Sequence, residues 1–318
     1  MDKSKANPFP FSNDNKRYHT LNYRNITVYG GKVYKAVVDA GFTCPNKDGT
    51  KGKGGCIYCS GGSGYFTSAH QGGIEQSVIR QIEAEKERIA KKHPDSLIIA
   101  YFQANTNTYA PIETLRCAYY AALSCGVCGI SVGTRADCLP DEVVELLAII
   151  KGKTDLTVEL GLQTIHDKTA EIINRCYCYD EFLRGYEKLK AKGIRTCIHI
   201  IDGLPGEDKE MMLSTAKEVG RLHPDGVKIH LLHINKGTPL EKLYLEGKYA
   251  PMSREEYIDT VIGQLEYLPQ DIIIERITGD ADKKCLTAPL WSADKIAVLG
   301  GIDKEMKLRD TYQGKRVE

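Results

Sequence analysis

The chain has 318 residues, enough for one large α/β domain or two smaller ones. Its 43 basic against 42 acidic residues leave a formal charge of +1, which excludes a globally basic nucleic-acid or membrane binder and leaves only a local basic patch open. Eleven cysteines, several within apolar runs, with no apolar signal segment before the first strand, speak against a secreted disulfide framework. No run reaches the roughly 18 to 20 apolar residues of a membrane span, so the expectation is a soluble protein of the reducing cytoplasm.

Residues 1 to 27 are polar and carry Lys3, Lys5, Lys16, Arg17, His19 and Arg24 among aromatics without a clear period. They read as an irregular, solvated arm, with contact to a phosphate backbone as the sharper alternative. The β-branched run 33 to 39, V-Y-K-A-V-V-D, predicts a strand feeding into a glycine-rich loop, Gly41 to Gly62. Helical spacing at Ile74, Val78, Ile82 and Ile89 predicts a helix over 73 to 92, stopped by His93-Pro94.

The alternation then repeats. Strands are expected at 97 to 102, 129 to 133, 156 to 162, 196 to 201 and 227 to 234. Helices are expected at 111 to 123, 140 to 150, 167 to 192, 209 to 222 and 253 to 267. Six strand-helix units with apolar strands predict a parallel sheet covered by helices. Unusual polar residues fall at or just after the C-terminal ends of almost every strand, as they would around the mouth of a barrel. The expected fold is therefore α/β, a partial (β/α)6 TIM-type barrel over 28 to 270. The arm 1 to 27 precedes it, and an extension, 271 to 318, packs on it and closes its lower or open side.

The loop from Gly41 to Gly62 carries Cys44, Cys56 and Cys59 in a backbone with few side chains to bury, which suits folding around a metal centre. Three thiolates are one short of a closed structural zinc site or a conventional iron-sulfur set, so the spacing points to a centre with an open coordination position. The alternative is a zinc loop borrowing a distant fourth ligand, within a non-catalytic RNA-binding module. Cys125 and Cys128 form a second Cys-x-x-Cys that could join Cys117 or Cys138 in an auxiliary cluster, but the position of Cys128 at the entry to a strand favours inert packing.

The three-cysteine loop after the first strand of a six-unit array resembles the radical S-adenosylmethionine (SAM) enzymes. The wide cysteine spacing is similar to the branch related to the Elongator catalytic subunit, and within it to the YtqA/YhcC type. The likeness extends through Y-F-Q-A-N-T-N-T-Y-A-P (101 to 111), S-V-G-T-R-A-D-C-L-P-D (131 to 141), E-L-G-L-Q-T (159 to 164), D-G-L-P-G-E (202 to 207), K-I-H-L-L-H (228 to 233) and R-I-T-G-D (276 to 280). Where the family pattern has an Arg-Gly-His-like step, this chain has Arg175-Cys176-Tyr177-Cys178.

The resemblance implies that Cys44, Cys56 and Cys59 hold a [4Fe-4S] cluster whose fourth iron chelates SAM, and that one electron then yields a 5'-deoxyadenosyl radical. It implies SAM contacts from Tyr58, Gln103, Asn105, Thr106, Thr134, Arg135, Glu159, Gln163 and Arg175, with Arg175 in a helix meeting the SAM carboxylate and the turn with Gly203 and Pro205 near adenine. Lys228, His230 and His233 on the sixth strand, His199 on the fifth, and Arg276, Thr278 and Asp280 are the candidates for substrate contact and catalysis. Three basic groups on one short strand are hard to read as plain core. The implied substrate is a tRNA wobble uridine whose 5-carboxymethylaminomethyl group becomes aminomethyl, and the implied partner is an electron donor such as flavodoxin or ferredoxin. A small metabolite or a peptide is the alternative radical SAM substrate.

Overall fold

The computed structural model describes all residues except 1–6, 8, 61–71, 104, 280–283 and 318. The described residues form nine strands: β1 (Val33–Val38), β2 (Leu97–Phe102), β3 (Gly129–Thr134), β4 (Asp155–Gln163), β5 (Arg195–Asp202), β6 (Gly226–Leu231), β7 (Ile234–Asn235), β8 (Ile273–Arg276) and β9 (Leu286–Ala288). Seven of them make one sheet in the order β1-β2-β3-β4-β5-β6-β8, every neighbouring pair parallel. The two edge strands do not pair. Yet Lys35 Nζ on β1 lies 3.4 Å from Glu275 Oε2 on β8, so the sheet curls until its edges face each other across a shared interior. The result is a partial barrel.

The strands alternate in a way that separates two environments. Ala36, Val38, Ala100, Phe102, Ile130, Val132, Val158, Leu160, Ile198, Ile200, Val227 and Ile229 point outward into the main core beneath the helices and are all but fully buried. Fully burying one such Val, Leu, Ile or Phe side chain stabilises by about 1.5–3 kcal/mol. The intervening positions, among them Lys35, Tyr101, Glu159, Cys197, His199 and Lys228, point into the barrel, as the period of two requires. The covering helices are α2 (Ile74–Ala90), α3 (Ile112–Ser124), α4 (Asp141–Lys151), α6 (Tyr179–Ala191), α7 (Lys209–Leu222) and α9 (Arg254–Tyr267). The chain also forms α1 (Leu21–Tyr29), α5 (Asp167–Ile172), α8 (Pro239–Leu245) and α10 (Lys295–Leu308).

Four expectations need correction. The stretch 1 to 27 is not all irregular, because Thr20 caps α1 with its side chain on the Tyr23 amide. Its basic residues are tied to the fold: Arg24 meets Asp155 at 2.6 Å, Arg17 meets Asp310 at 3.0 Å and Lys16 pairs with Asp303, which removes them as a free phosphate-binding surface. Lys3 and Lys5 lie outside the described residues. The sheet has a seventh strand, β8, so it continues past the expected boundary at 270.

The stretch 167 to 192 is two helices, broken where Asn174 and Cys176 adopt φ of +55° and +60°. His233 is not on a strand but in the turn between β6 and β7, since β7 leaves the sheet to pair with β9. At the lower end, Gln313 binds the His19 amide and the carbonyls of Pro269 and Ile272, fastening arm and tail beneath β8. Among the described residues no helix is long and apolar enough to cross a membrane.

Candidate active site

The floor of the barrel is built around one carboxylate. Glu159 on β4 is buried. Its Oε1 accepts Lys35 Nζ at 2.8 Å, and its Oε2 accepts the Tyr101 hydroxyl at 2.7 Å, His199 Nε2 at 2.9 Å and the Lys228 ammonium. Both ammonium groups also sit over the Tyr101 ring, 4.5 and 4.8 Å from its centre. Burial alone would raise the Glu159 carboxyl, but Lys228 and Lys35 hold it well below the usual carboxylate range. Burial and Lys228 lower His199 against the pull of Glu159. Burial, then His199, Arg276 and Lys228, keep His230 neutral, its ring 5.2 Å from that of His199 and its Nε2 buried.

This network corrects the expected role of Glu159. A carboxylate with both oxygens already engaged by four donors is a floor element, not a cofactor contact. Lys35, Tyr101 and Glu275 belong to the same network, and sequence reasoning missed them. Their signal was the one that singled out Lys228, an ionisable or hydroxyl-bearing residue at an inward position of an otherwise apolar strand.

Above the floor, the cysteine loop follows β1 and lies over the C-terminal ends of the strands. The connection between α5 and α6 holds it there. Ile57 donates its amide to the Ile173 carbonyl at 3.1 Å, Leu240 donates to the Ile57 carbonyl at 3.0 Å, and Asn174 Nδ2 reaches the carbonyls of Lys53 and Gly55 at 3.2 and 2.8 Å. Ile57 and Tyr58 pack on a second, smaller apolar cluster of Ile173, Leu204, Leu232, Ile234, Leu240 and Ala288. Cys178 caps α6, and Tyr177 lies under the guanidinium groups of Arg135 and Arg175, so the R-C-Y-C run anchors the connection whose Ile173 and Asn174 hold the loop.

The thiols are crowded. Burial first and neighbouring Cys59 second push the Cys56 thiol up to about 11, and Tyr58 hydrogen-bonds its sulfur. Desolvation also raises Cys59, with Lys47 opposing and Cys44 adding to the rise. Desolvated thiols that repel one another's charge suit a strongly cationic centre, which takes them as thiolates. Three thiols on one loop, each able to supply one thiolate, two of them raised by desolvation, are the donor set that a [4Fe-4S] cluster with one open iron takes.

The remaining expected cofactor residues divide by what they already bind. Arg175 is 1% exposed, lies in the connection and not in a helix, and donates to the carbonyls of Leu162, Thr164 and Tyr177. These bonds use Nε and Nη1, while Nη2 is buried with no hydrogen-bond partner among the described residues, 3.5 Å from Asp167 Oδ1. Arg135 holds Asp137 through two bonds of 2.9 Å and the Arg175 carbonyl. Thr134 shares its hydroxyl with Thr108 at 2.6 Å, while Asn105 bridges Lys47 and the Phe42 carbonyl and the Thr106 amide binds Thr43.

Gln103 and Gln163 differ, since their side-chain amides have no partner among the described residues. Gln163, at φ +63°, lies so close over Gly161 that a Cβ there would stand 2.4 Å from its Nε2. The turn with Gly203 and Pro205 is fixed by the Tyr249 hydroxyl on the Gly203 carbonyl at 2.6 Å. His230 ends near Gly279 together with His233, and Arg276 closes β8 beside them. Thr278 is fully buried, and Asp280 lies outside the described residues.

Comparison with known proteins agrees with this architecture. Residues 48–219 match the model of the Radical SAM superfamily, and residues 224–308 match that of the Radical_SAM C-terminal domain. YtqA of Bacillus subtilis (strain 168) is 49% identical over 97% of this chain and 95% of its own. The tRNA uridine(34) acetyltransferase of Methanocaldococcus jannaschii is 30% identical over 48% of this chain and 28% of its own length. Among solved structures, the archaeal Methanocaldococcus infernus Elp3 with an N-terminal deletion superposes with a TM-score of 0.64 at 18% identity, covering 89% of this chain and 64% of that one; this likeness is one of fold.

Proposed function

The chain belongs to the radical SAM superfamily, in the branch of YtqA, and we propose that it uses its [4Fe-4S] cluster and SAM to modify the wobble uridine of tRNA. In this reading Cys44, Cys56 and Cys59 hold the cluster, which when bound with SAM supplies hydrogen-atom abstraction from an unactivated carbon. Tyr58, Gln103, Gln163 and the turn at Gly203 and Pro205 place SAM over the barrel, and the connection at 173–178 keeps water away from the loop.

The substrate enters the mouth opposite the cysteine loop, where Lys228, His230, His233 and Arg276 orient it. The Glu159 network below holds Lys228 in place. The reaction is conversion of 5-carboxymethylaminomethyluridine, with or without a 2-thio group, to the aminomethyl form. An acidic one-electron protein such as flavodoxin or ferredoxin supplies the electron, in the cytoplasm.

The observation that carries the tRNA substrate is the likeness of half the chain to a tRNA uridine(34)-modifying protein, on top of the near full-length likeness to YtqA. Nucleoside analysis of tRNA from a deletion strain tests it. The carboxymethylaminomethyl form should accumulate at the expense of the aminomethyl form and its derivatives, and an unchanged profile would contradict the substrate.

A further inference from the structure

Asn46 lies two residues after Cys44 and is fully buried. Its Nδ2 stands 3.6 Å from Cys56 Sγ and also donates to the Asn174 carbonyl. Both groups facing that nitrogen are acceptors, so the amide is fixed with its N–H bonds toward the sulfur; turned over, it would set Oδ1 against a sulfur and a carbonyl.

The amide has no room to move. Asn174, itself at φ +55°, ties the far side of the loop through Lys53 and Gly55. A Cβ on Gly52 would stand 2.1 Å from Asn46 Oδ1 and 2.6 Å from Cys176 Sγ, so only glycine lets the loop close over the amide. A buried side chain held this tightly, in contact with one thiol of the three, is more than a loop fastener.

We propose that Asn46 is a tuning and positioning residue for the cluster, donating a hydrogen bond to the Cys56 ligand and so raising the reduction potential. The inference rests on Cys56 being a cluster ligand. Reduction places added negative charge partly on the sulfurs, and a donor fixed on one of them stabilises the reduced form more than the oxidised form. The neighbouring Lys47 acts differently, since its ammonium is directed to Asn105 Oδ1 at 2.8 Å and works only through its charge.

The test is a redox titration of reconstituted protein, followed by electron paramagnetic resonance without SAM or tRNA, on wild type, Asn46→Ala and Asn174→Ala. At the potential that half-reduces wild type, the ratio of reduced to oxidised cluster in Asn46→Ala should fall roughly tenfold, a shift of about 59 mV to the negative for one electron. Asn174→Ala loosens the loop but keeps the donor, so it should bind iron less firmly and titrate at the wild-type midpoint. If Asn46→Ala retains too little cluster to titrate, Asn46→Ser, too short to reach the sulfur, should show the same negative shift. An unshifted or more positive midpoint in whichever of the two holds cluster overturns the proposal and leaves the cofactor assignment standing. A wild-type protein that assembles no cluster overturns both.

Discussion

The floor of the barrel and the cysteine loop above it are both rich in ionisable groups, but the floor is buried while the loop is part-exposed, with Cys59 at the surface, and the protein settles their charges in opposite ways. On the floor, Glu159 is surrounded by Lys35, Lys228, Tyr101 and His199, and its charge is neutralised entirely by side chains of the chain itself. In the loop, Cys56 and Cys59 are desolvated and crowd each other, and both thiols are raised. One region is an internally balanced platform, the other a donor set whose ionised form needs a cation that protein groups do not supply in equal measure. A buried ionisable cluster is therefore not by itself a cofactor site; the balance of its charges tells platform from binding site.

That contrast can be broken most forcefully on the floor. Glu159→Ala leaves Lys35 and Lys228 with only the more distant Glu275 carboxylate between them, and the expected loss is about 3–5 kcal/mol of stability, read as a shift of the denaturant midpoint. Glu159→Gln, which keeps the shape and one acceptor, should lose less. Equal losses in the two variants would mean that packing, not charge, holds the floor.

Asp202, at the end of β5, is an intermediate case, a carboxyl that is 1% exposed with Gln264 Nε2 at 2.6 Å as its hydrogen-bond partner. Burial pushes it up to about 8, partly relieved by Gln264. The folded protein therefore holds this proton more tightly than the unfolded chain, whose carboxyl titrates near about 3.9. The favourable contribution is complete below that value and is lost as pH rises toward about 8. Between those limits Asp202→Asn should gain on wild type by up to about 1.4 kcal/mol per pH unit, measured by unfolding at a series of pH values. A constant difference across the range would show that Asp202 is ionised in the fold.

The smallest effect is expected at Cys125, whose thiol is buried and donates to the Ala121 carbonyl at 3.3 Å. Cys125 and Cys128 precede β3 whereas Cys138 follows it, so a six-residue strand, about 20 Å long, separates them. Cys125→Ala should cost about 1 kcal/mol and leave the iron content unchanged. A loss of iron would reveal the auxiliary cluster that the strand geometry argues against.

The barrel was legible because alternating strands and amphipathic helices repeat with clear punctuation, and the loop because its cysteines stand in a glycine-rich run. The seventh strand was not, since Ile273–Arg276 is four residues long and lacks a helix of its own unit. The break at 173–178 hid inside a helical pattern, because Asn174, though its residue type tolerates a left-handed backbone, stands alone among helix formers and nothing in Cys176 announces one. α1 was missed because its apolar residues follow no stripe and its stability comes from Arg24 and Tyr29 meeting Asp155, over a hundred residues away. At the site, residue types pointed to the right region but not to their partners. Glu159 looks like a cofactor ligand in one dimension and in three has both oxygens engaged by Lys35, Tyr101, His199 and Lys228.

The central claim is that this loop builds a radical SAM centre, and anaerobic reconstitution with iron and sulfide tests it most directly. Wild type should become brown, bind about four irons per chain and release 5'-deoxyadenosine from SAM when reduced, while the Cys44→Ala, Cys56→Ala, Cys59→Ala triple variant should do none of these. A wild-type protein that takes up zinc in preference, stays colourless and yields no 5'-deoxyadenosine would contradict it.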